Sequence, residues 1–231
     1  MLRWISCEQR KHIIRVERMH HVADEFCLFV QHGEPNYRWL THATFYFWLT
    51  HPRIMDVLSH WFMGSGATNG RTKFWVAGTM GVLPDLLVFV PNSFFLDERP
   101  EITDETVTAD FGWYAWEAYQ VTHSLVWATI GFLFTWILFE KKGVTQRLFT
   151  NNELSAKSAA LWLWLPWFIH IINDIPTHTG RFFPTPFLAP FSDVHFDGYR
   201  WSTPWVWFTN LAIIIAIWGY VFYKKRAKSV A

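Results

Sequence analysis

The sequence predicts an all-α fold, a polytopic bundle of transmembrane helices. Three observations support this prediction: the composition, four long apolar runs, and the charges between those runs. Hydrophobic residues make up 51% of the 231 residues and aromatic residues 19%, with 16 Trp and 22 Phe. Such a chain departs from the composition of an average soluble domain.

Four apolar runs are long enough to cross a hydrocarbon core of about 30 Å, which takes roughly 20 helical residues. They are residues 74–95, 121–139, 159–175 and 204–223. A fifth aromatic stretch, residues 39–63, is interrupted by Pro52 and Arg53. This stretch is a further crossing, or else a re-entrant or interfacial segment, since irregular backbone is tolerated at membrane depth where protein covers it.

The connections between the runs predict their orientation. Basic residues cluster at 71–73, 141–147 and 224–228, whereas the link of residues 97–110 is acidic. The positive-inside rule then places the basic connections and the C-terminus in the cytoplasm. We predict a basic, amphipathic N-terminal extension (1–38), a membrane domain (39–223) and a basic cytoplasmic tail (224–231).

Charge and cysteine content exclude other classes. A formal net charge of +1 gives no reason to expect a nucleic-acid partner. The two cysteines, Cys7 and Cys27, are too few for a disulfide framework and match no zinc motif. Membrane lipids are therefore the expected partners, together with a membrane protein complex as a further possibility.

Ionisable side chains inside the apolar runs are the candidate site residues, because charge at membrane depth is costly and usually functional. His170, Asp174 and His178 are spaced by four residues, so they share one face of a helix. His60, Asp85 and His123 lie in other segments at compatible depths. Each residue taken singly is equally explained as a hydrogen-bonding group between helices.

Together these six residues are the predicted metal ligands. Neutral imidazoles combined with carboxylates suit a divalent metal, with zinc as the first choice and iron or manganese as alternatives. His178 ranks below the others because it follows Pro176, which interrupts the helix.

Four short motifs follow one another along the chain: Met55-Asp-Val-Leu-Ser-His60, Leu83-Pro-Asp85, Thr122-His-Ser-Leu125, and His170-x-x-x-Asp174 followed by Thr177 and Gly180. This ordered set resembles the YdjM-like family of bacterial inner-membrane proteins, which are regarded as predicted metal-dependent hydrolases. The resemblance covers residues 55–190 and implies a bacterial inner-membrane location. It also implies a metal centre of His60, Asp85, His123, His170 and Asp174, with Ser59 and Ser124 as supporting or substrate-facing groups.

The chain departs from the family pattern at three places. Leu87 stands where members commonly carry a second Asp. Ala118 and Tyr119 stand where members often carry a His-Arg pair. Residues 1–54 form an extension outside the family core.

Three hypotheses for function follow, in order of rank. The first is a membrane-bound, metal-dependent hydrolase acting on a lipid or lipid-linked substrate. Asp85 or Asp174 would then be the general base if not a ligand, and Ser124 would orient the substrate. The second is a catalytically inactive structural or accessory subunit of a membrane complex that retains the hydrolase-like fold. An iron-dependent lipid oxygenase ranks last, because it should show several short-spaced His pairs and only His20-His21 is adjacent.

Overall fold

The computed structural model describes residues 52–96, 100, 102–103, 105–150 and 154–230. These residues form six α-helices: α1 Pro52–Ala67, α2 Phe74–Asn92, α3 Gly112–Thr122, α4 Leu125–Lys142, α5 Ala156–Thr177 and α6 Pro204–Val230. No β-strand occurs in this part of the chain, where extended pairing is limited to the single bridges Thr72–Phe149 and Thr179–Phe182. The predicted all-α class is confirmed.

The number of spans is smaller than predicted. Two helices are long and apolar enough to cross a membrane, α2 and the part of α6 that covers Pro204–Ala227. A third span arises if Thr108–Thr122 and α4 count as one broken segment, although they are bent by 59° at the break. Two or three spans therefore replace the four predicted ones.

The two weaker runs fall short for identifiable reasons. The run at residues 159–175 forms α5, which has 22 residues. Its length is sufficient, but Lys157, His170 and Asp174 reduce its apolarity. The helix α4 has only 18 residues, so a span of that length must include Glu140, Lys141 and Lys142 at its C-terminal end. Three charged residues are too many for α4 to count as a span by itself. In both helices, polar and charged side chains lower the mean hydropathy below that of a membrane span.

The stretch at residues 39–63 is described only from Pro52, where α1 begins. The N-terminal extension, residues 1–38, and its boundary with the membrane domain lie outside the described residues, so both stay predictions. Whether the stretch crosses the membrane or re-enters it stays open for the same reason.

The helix α2 lies at the centre of the bundle. It packs against α1, α3 and α5, while α5 also packs against α1 and α4. The helices α1 and α2 approach closely at Gly81, where an added Cβ would lie 2.5 Å from the carbonyl oxygen of His60. Glycine is required here because no other residue lets the two backbones come so near.

The break between α3 and α4 is defined by a helix cap. Ser124 has an extended backbone, and its hydroxyl accepts hydrogen bonds from the backbone N–H groups of Val126 and Trp127, at 3.1 and 3.4 Å. These contacts satisfy amide groups that have no partner within the first helical turn. The chain therefore turns at His123, which is held between the two helices and faces the interior with no exposed surface.

Candidate metal centre

Four buried side chains from three parts of the fold meet at one point. Asp85 comes from the middle of α2, His123 from the break between α3 and α4, and His170 and Asp174 from successive turns of α5. One potential ligand atom from each lies within 4.8 Å of the others. Residues that are 89 positions apart in sequence thus form one cluster, because α2 packs directly on α5.

The distances within this cluster fit a four-coordinate ion. Nε2 of His123 lies 3.0 Å from Nε2 of His170 and 3.3 Å from both Oδ1 of Asp85 and Oδ2 of Asp174. Nε2 of His170 lies 3.2 Å from Oδ2 of Asp174 and 3.7 Å from Oδ1 of Asp85. Tetrahedral ligands at about 2.0–2.2 Å from a metal are roughly 3.3–3.6 Å apart. These five separations bracket that spacing, and the carboxylate ligand atoms of Asp85 and Asp174 lie within 4.8 Å of each other.

The proton positions also favour a cation. Nδ1 of His170 lies 2.7 Å from the carbonyl oxygen of Gly81. A carbonyl can only accept, so Nδ1 carries the hydrogen and a neutral ring presents its Nε2 lone pair to the cluster. That lone pair faces His123 and two carboxylates. Such a set of buried acceptors needs a cation or added protons to be stable, and it fits a divalent metal.

His60 adjoins the cluster from α1. Its Nε2 lies 3.1 Å from Oδ1 of Asp174, the carboxylate oxygen on the side away from His123. Its ring centroid lies 3.8 Å from that of His170, with 33° between the planes. This position suits a residue that orients Asp174 and His170. Its predicted role as a ligand stays a prediction, and Ser59 beside it is buried.

His178 and Ser124 lie outside the four-atom group. His178 caps the C-terminal end of α5 and contacts the carbonyl oxygen of Asp174 through Nδ1, at 3.2 Å. The hydroxyl of Ser124 donates to the carbonyl oxygen of Ala189 and caps α4. Among the described contacts, none joins Ser124 to the four ligand atoms. Its substrate-orienting role, like the ligand role of His178, stays a prediction.

The sequence interpretation missed several supporting residues. The ring of Tyr119 stacks on His123, with centroids 3.7 Å apart and an interplanar angle of 17°. The hydroxyl of Thr122 lies 2.9 Å from Nδ1 of His123, and the indole N–H of Trp167 donates to the carbonyl oxygen of Thr122 at 2.8 Å. Tyr119 could have been found from its spacing, since a residue four positions before His123 shares its helical face.

A cavity of about 400 Å³ opens beside the cluster. Asp85 and His178 reach it, and the remaining wall is mainly apolar and aromatic, including Phe89, Phe182 and Trp201. Asp85 is 8% exposed, whereas His123, His170 and Asp174 are at most 1% exposed. Asp85 is therefore the member of the cluster that a molecule in the cavity would meet.

Comparison of the chain with protein-family models, with curated proteins and with solved structures finds no match. Of the six predicted ligands, the structure brings four into one group, Asp85, His123, His170 and Asp174. His60 contacts that group and His178 borders the adjacent cavity.

Replacing Thr122 with valine should weaken metal binding while leaving the fold in place. Valine keeps the shape of threonine but removes the hydroxyl that fixes His123 through Nδ1. We expect the affinity for zinc to fall about 10–100-fold, as is usual when the outer partner of a ligating histidine is lost. The affinity can be measured by competition with a chromogenic chelator. Thr129→Val is the matched control, because the exposed Thr129 bonds only to its own helix, at the carbonyl oxygen of Leu125 among the described contacts. An equal loss in both variants would contradict this role for Thr122.

Proposed function

We propose that this chain is an integral membrane protein that binds one divalent metal ion and hydrolyses a lipid or lipid-linked substrate beside it. The observation that carries the proposal is the convergence of Asp85, His123, His170 and Asp174 on one point. Imidazole nitrogen and carboxylate oxygen donors suit zinc first, with iron or manganese as alternatives.

The chemistry divides between the bound ion and the chain. A divalent ion held by His123, His170 and Asp174 would keep one coordination position for water, lower the pKa of that water and polarise the scissile bond. His60 and Gly81 hold Asp174 and His170 in place through the contacts at 3.1 and 2.7 Å. Asp85 lies at the boundary between cluster and cavity, so its carboxylate is placed to accept a proton from water.

The cavity supports an amphipathic substrate. Its wall is mainly apolar, and its size falls in the range of small-molecule sites. An acyl chain would contact Phe89, Phe182 and Trp201, while its ester, amide or phosphoester group would lie near Asp85. A lipid already dissolved in the bilayer is the molecule that can reach a cavity in a bundle of membrane helices.

The resemblance to the YdjM-like family stays part of the proposal. The four converging residues belong to the five that the resemblance implies as the metal centre. Leu87 is 43% exposed on α2, on a different face from the buried Asp85. The loss of a second Asp at that position therefore removes nothing from the four-atom group. We also propose the bacterial inner membrane as the location, with the C-terminus in the cytoplasm.

The second candidate function is an inactive accessory subunit of a membrane complex. The observation that favours it is the exposed apolar surface of α6, whose membrane-spanning window is only 11% buried. In a complex, another subunit would cover this surface. Lipid tails would cover it equally well, so the hydrolase proposal needs no change to explain it.

Hydrolysis by purified protein tests the choice between these functions. With zinc bound, we expect cleavage of long-chain nitrophenyl esters, and faster cleavage than of the acetyl ester because the cavity holds the chain. Asp85→Asn should reduce the rate about 10²–10⁴-fold, the usual range for loss of a general base. Glu117→Gln is the control, since Glu117 is an exposed carboxylate on α3. Full metal occupancy without hydrolysis of any ester, amide or phosphoester lipid would favour the accessory subunit.

A further inference from the structure

A second cavity, of about 710 Å³, lies between the turn after α1 and the last turns of α6. It is separate from the metal centre, since Phe74 lines it at the start of α2 and Asp85 lies eleven residues further along that helix. At 1.5 Å per residue this is about 16 Å. Nothing in the proposed hydrolysis uses this cavity.

The wall of the cavity is preformed by contacts within the fold. The turn that carries Arg71 is held by the backbone N–H of Thr150, which donates to the carbonyl oxygen of Arg71 at 3.0 Å. The guanidinium of Arg71 stacks on the ring of Trp162, 4.3 Å from its centroid. On the other side, the indole N–H of Trp218 donates to the carbonyl oxygen of Phe62 at 3.1 Å. Both sides are thus fixed to their neighbours.

The charge of the cavity is of one sign. Arg71, Lys224 and Lys225 line it, and its described lining contains no Asp or Glu. Within the described residues, none of these three cations forms an ion pair. The ammonium of Lys224 also lies 5.1 Å from the ring centroid of Tyr220, a contact that leaves its charge unneutralised. Three such cations lining one concave space favour an anion, and basic pockets beside membrane helices bind the phosphate-bearing headgroups of lipids.

The rest of the lining is aromatic and apolar. Phe74 and Phe222 line the cavity together with Trp218, whose ring centroid lies 5.8 Å from that of Phe74 and 5.7 Å from that of Phe222. Aromatic side chains beside lysine are typical of the boundary between hydrocarbon and headgroups. The position agrees, because Phe74 begins one apolar helix and Lys225 lies in the last turn of the apolar part of the other, Pro204–Ala227.

We propose that this cavity binds the headgroup of an anionic phospholipid. The phosphate contacts Arg71, Lys224 and Lys225, and the glycerol and first methylene groups pack on the rings of Trp218 and Phe222. The proposal is independent of the metal site, and it concerns the N-terminal end of α2, whereas Asp85 lies in the middle of that helix. A bound lipid would join α6 to the turn between α1 and α2, and so would stabilise α6 against the bundle.

Lipid binding to the purified full chain tests the proposal. After delipidation in neutral detergent, native mass spectrometry can follow the titration with phosphatidylglycerol or with phosphatidylcholine of the same acyl chains. The test variant is Lys224→Gln/Lys225→Gln, which leaves the stacked Arg71 in place. The matched control is Lys141→Gln/Lys142→Gln, another exposed lysine pair at the end of a helix, α4.

We expect one phosphatidylglycerol to bind with at least tenfold preference over phosphatidylcholine. The test variant should lose this preference by about tenfold or more, and the control should stay within about twofold. Equal loss in both pairs, or no preference in the unchanged chain, would overturn the proposal. The last measurement adds inorganic phosphate as a competitor. If phosphate displaces phosphatidylglycerol at a concentration equal to that of the lipid, the site recognises free phosphate and the lipid assignment is wrong. Metal content, measured in parallel, should not change in either variant.

Discussion

Replacing His170 with alanine is expected to abolish stoichiometric metal binding. His170 supplies Nε2 to the four-atom group, and this atom lies 3.0 Å from Nε2 of His123, 3.2 Å from Oδ2 of Asp174 and 3.7 Å from Oδ1 of Asp85. Its loss removes one of two nitrogen donors, so the fall in affinity should exceed the 10–100-fold change expected for an outer partner. The metal content of protein purified in detergent and loaded with zinc can be measured by elemental analysis.

Two further variants make this result interpretable. Asp174→Asn preserves the shape of the side chain but removes its charge, so loss of metal there cannot be attributed to a cavity left by the missing ring. His195→Ala is the matched control, because His195 is an exposed histidine that contacts the carbonyl oxygen of Asp193. Full zinc occupancy in both His170→Ala and Asp174→Asn would rule out the proposed centre. Loss of zinc in His195→Ala would place the metal elsewhere.

Replacing Gly81 with alanine is expected to have the largest effect on stability. The new Cβ would lie 2.5 Å from the carbonyl oxygen of His60, a distance that backbone atoms do not allow. The two helices must separate, and overpacking of this kind usually costs about 1–3 kcal/mol. The shift would also displace the Gly81 carbonyl from His170, so metal affinity should fall together with the thermal midpoint of unfolding.

Gly219→Ala provides the control for this prediction. Gly219 lies in α6, and nothing lies within 4 Å of the Cβ that alanine would add. Alanine favours the helix over glycine by roughly 1 kcal/mol, so this variant should be as stable as the unchanged chain or more stable. Midpoints measured in the same detergent decide the matter. If the thermal midpoint of unfolding of Gly81→Ala equals that of Gly219→Ala, then α1 and α2 do not approach each other closely enough at Gly81 to exclude a Cβ.

The sequence predicted the class of the fold for a simple reason. Long apolar runs can be stable in only a few ways, and the helix is the usual one when each backbone group must find its partner within the segment. The same criterion overestimated the number of spans at α4 and α5. The prediction used the length of each apolar run and did not subtract the effect on hydropathy of Glu140, Lys141 and Lys142 in α4, or of the polar residues in α5.

The residue types of the site and a common metal centre were also predictable, but not which of the six candidates share it. Asp85, His123, His170 and Asp174 stand out because ionisable groups are rare in apolar runs. Spacing along one helix then favoured His178, four residues after Asp174. The chain leaves the helix at His178, however, and its Nδ1 contacts the Asp174 carbonyl oxygen at 3.2 Å. Helical spacing places residues on one face only while the helix continues.

The sequence by itself determined that the chain is helical, that it is apolar enough to cross a membrane, and which side chains could bind a metal. Those properties depend on composition and on local periodicity. The tertiary structure alone decided which four of those side chains share one point, that His60 contacts them, and that Arg71, Lys224 and Lys225 line one cavity. The first two outcomes depend on the approach of α1, α2 and α5 at Gly81 and on the turn at His123, and the third depends on the packing of α6 against α1. Contacts between distant segments leave no periodic pattern in the sequence.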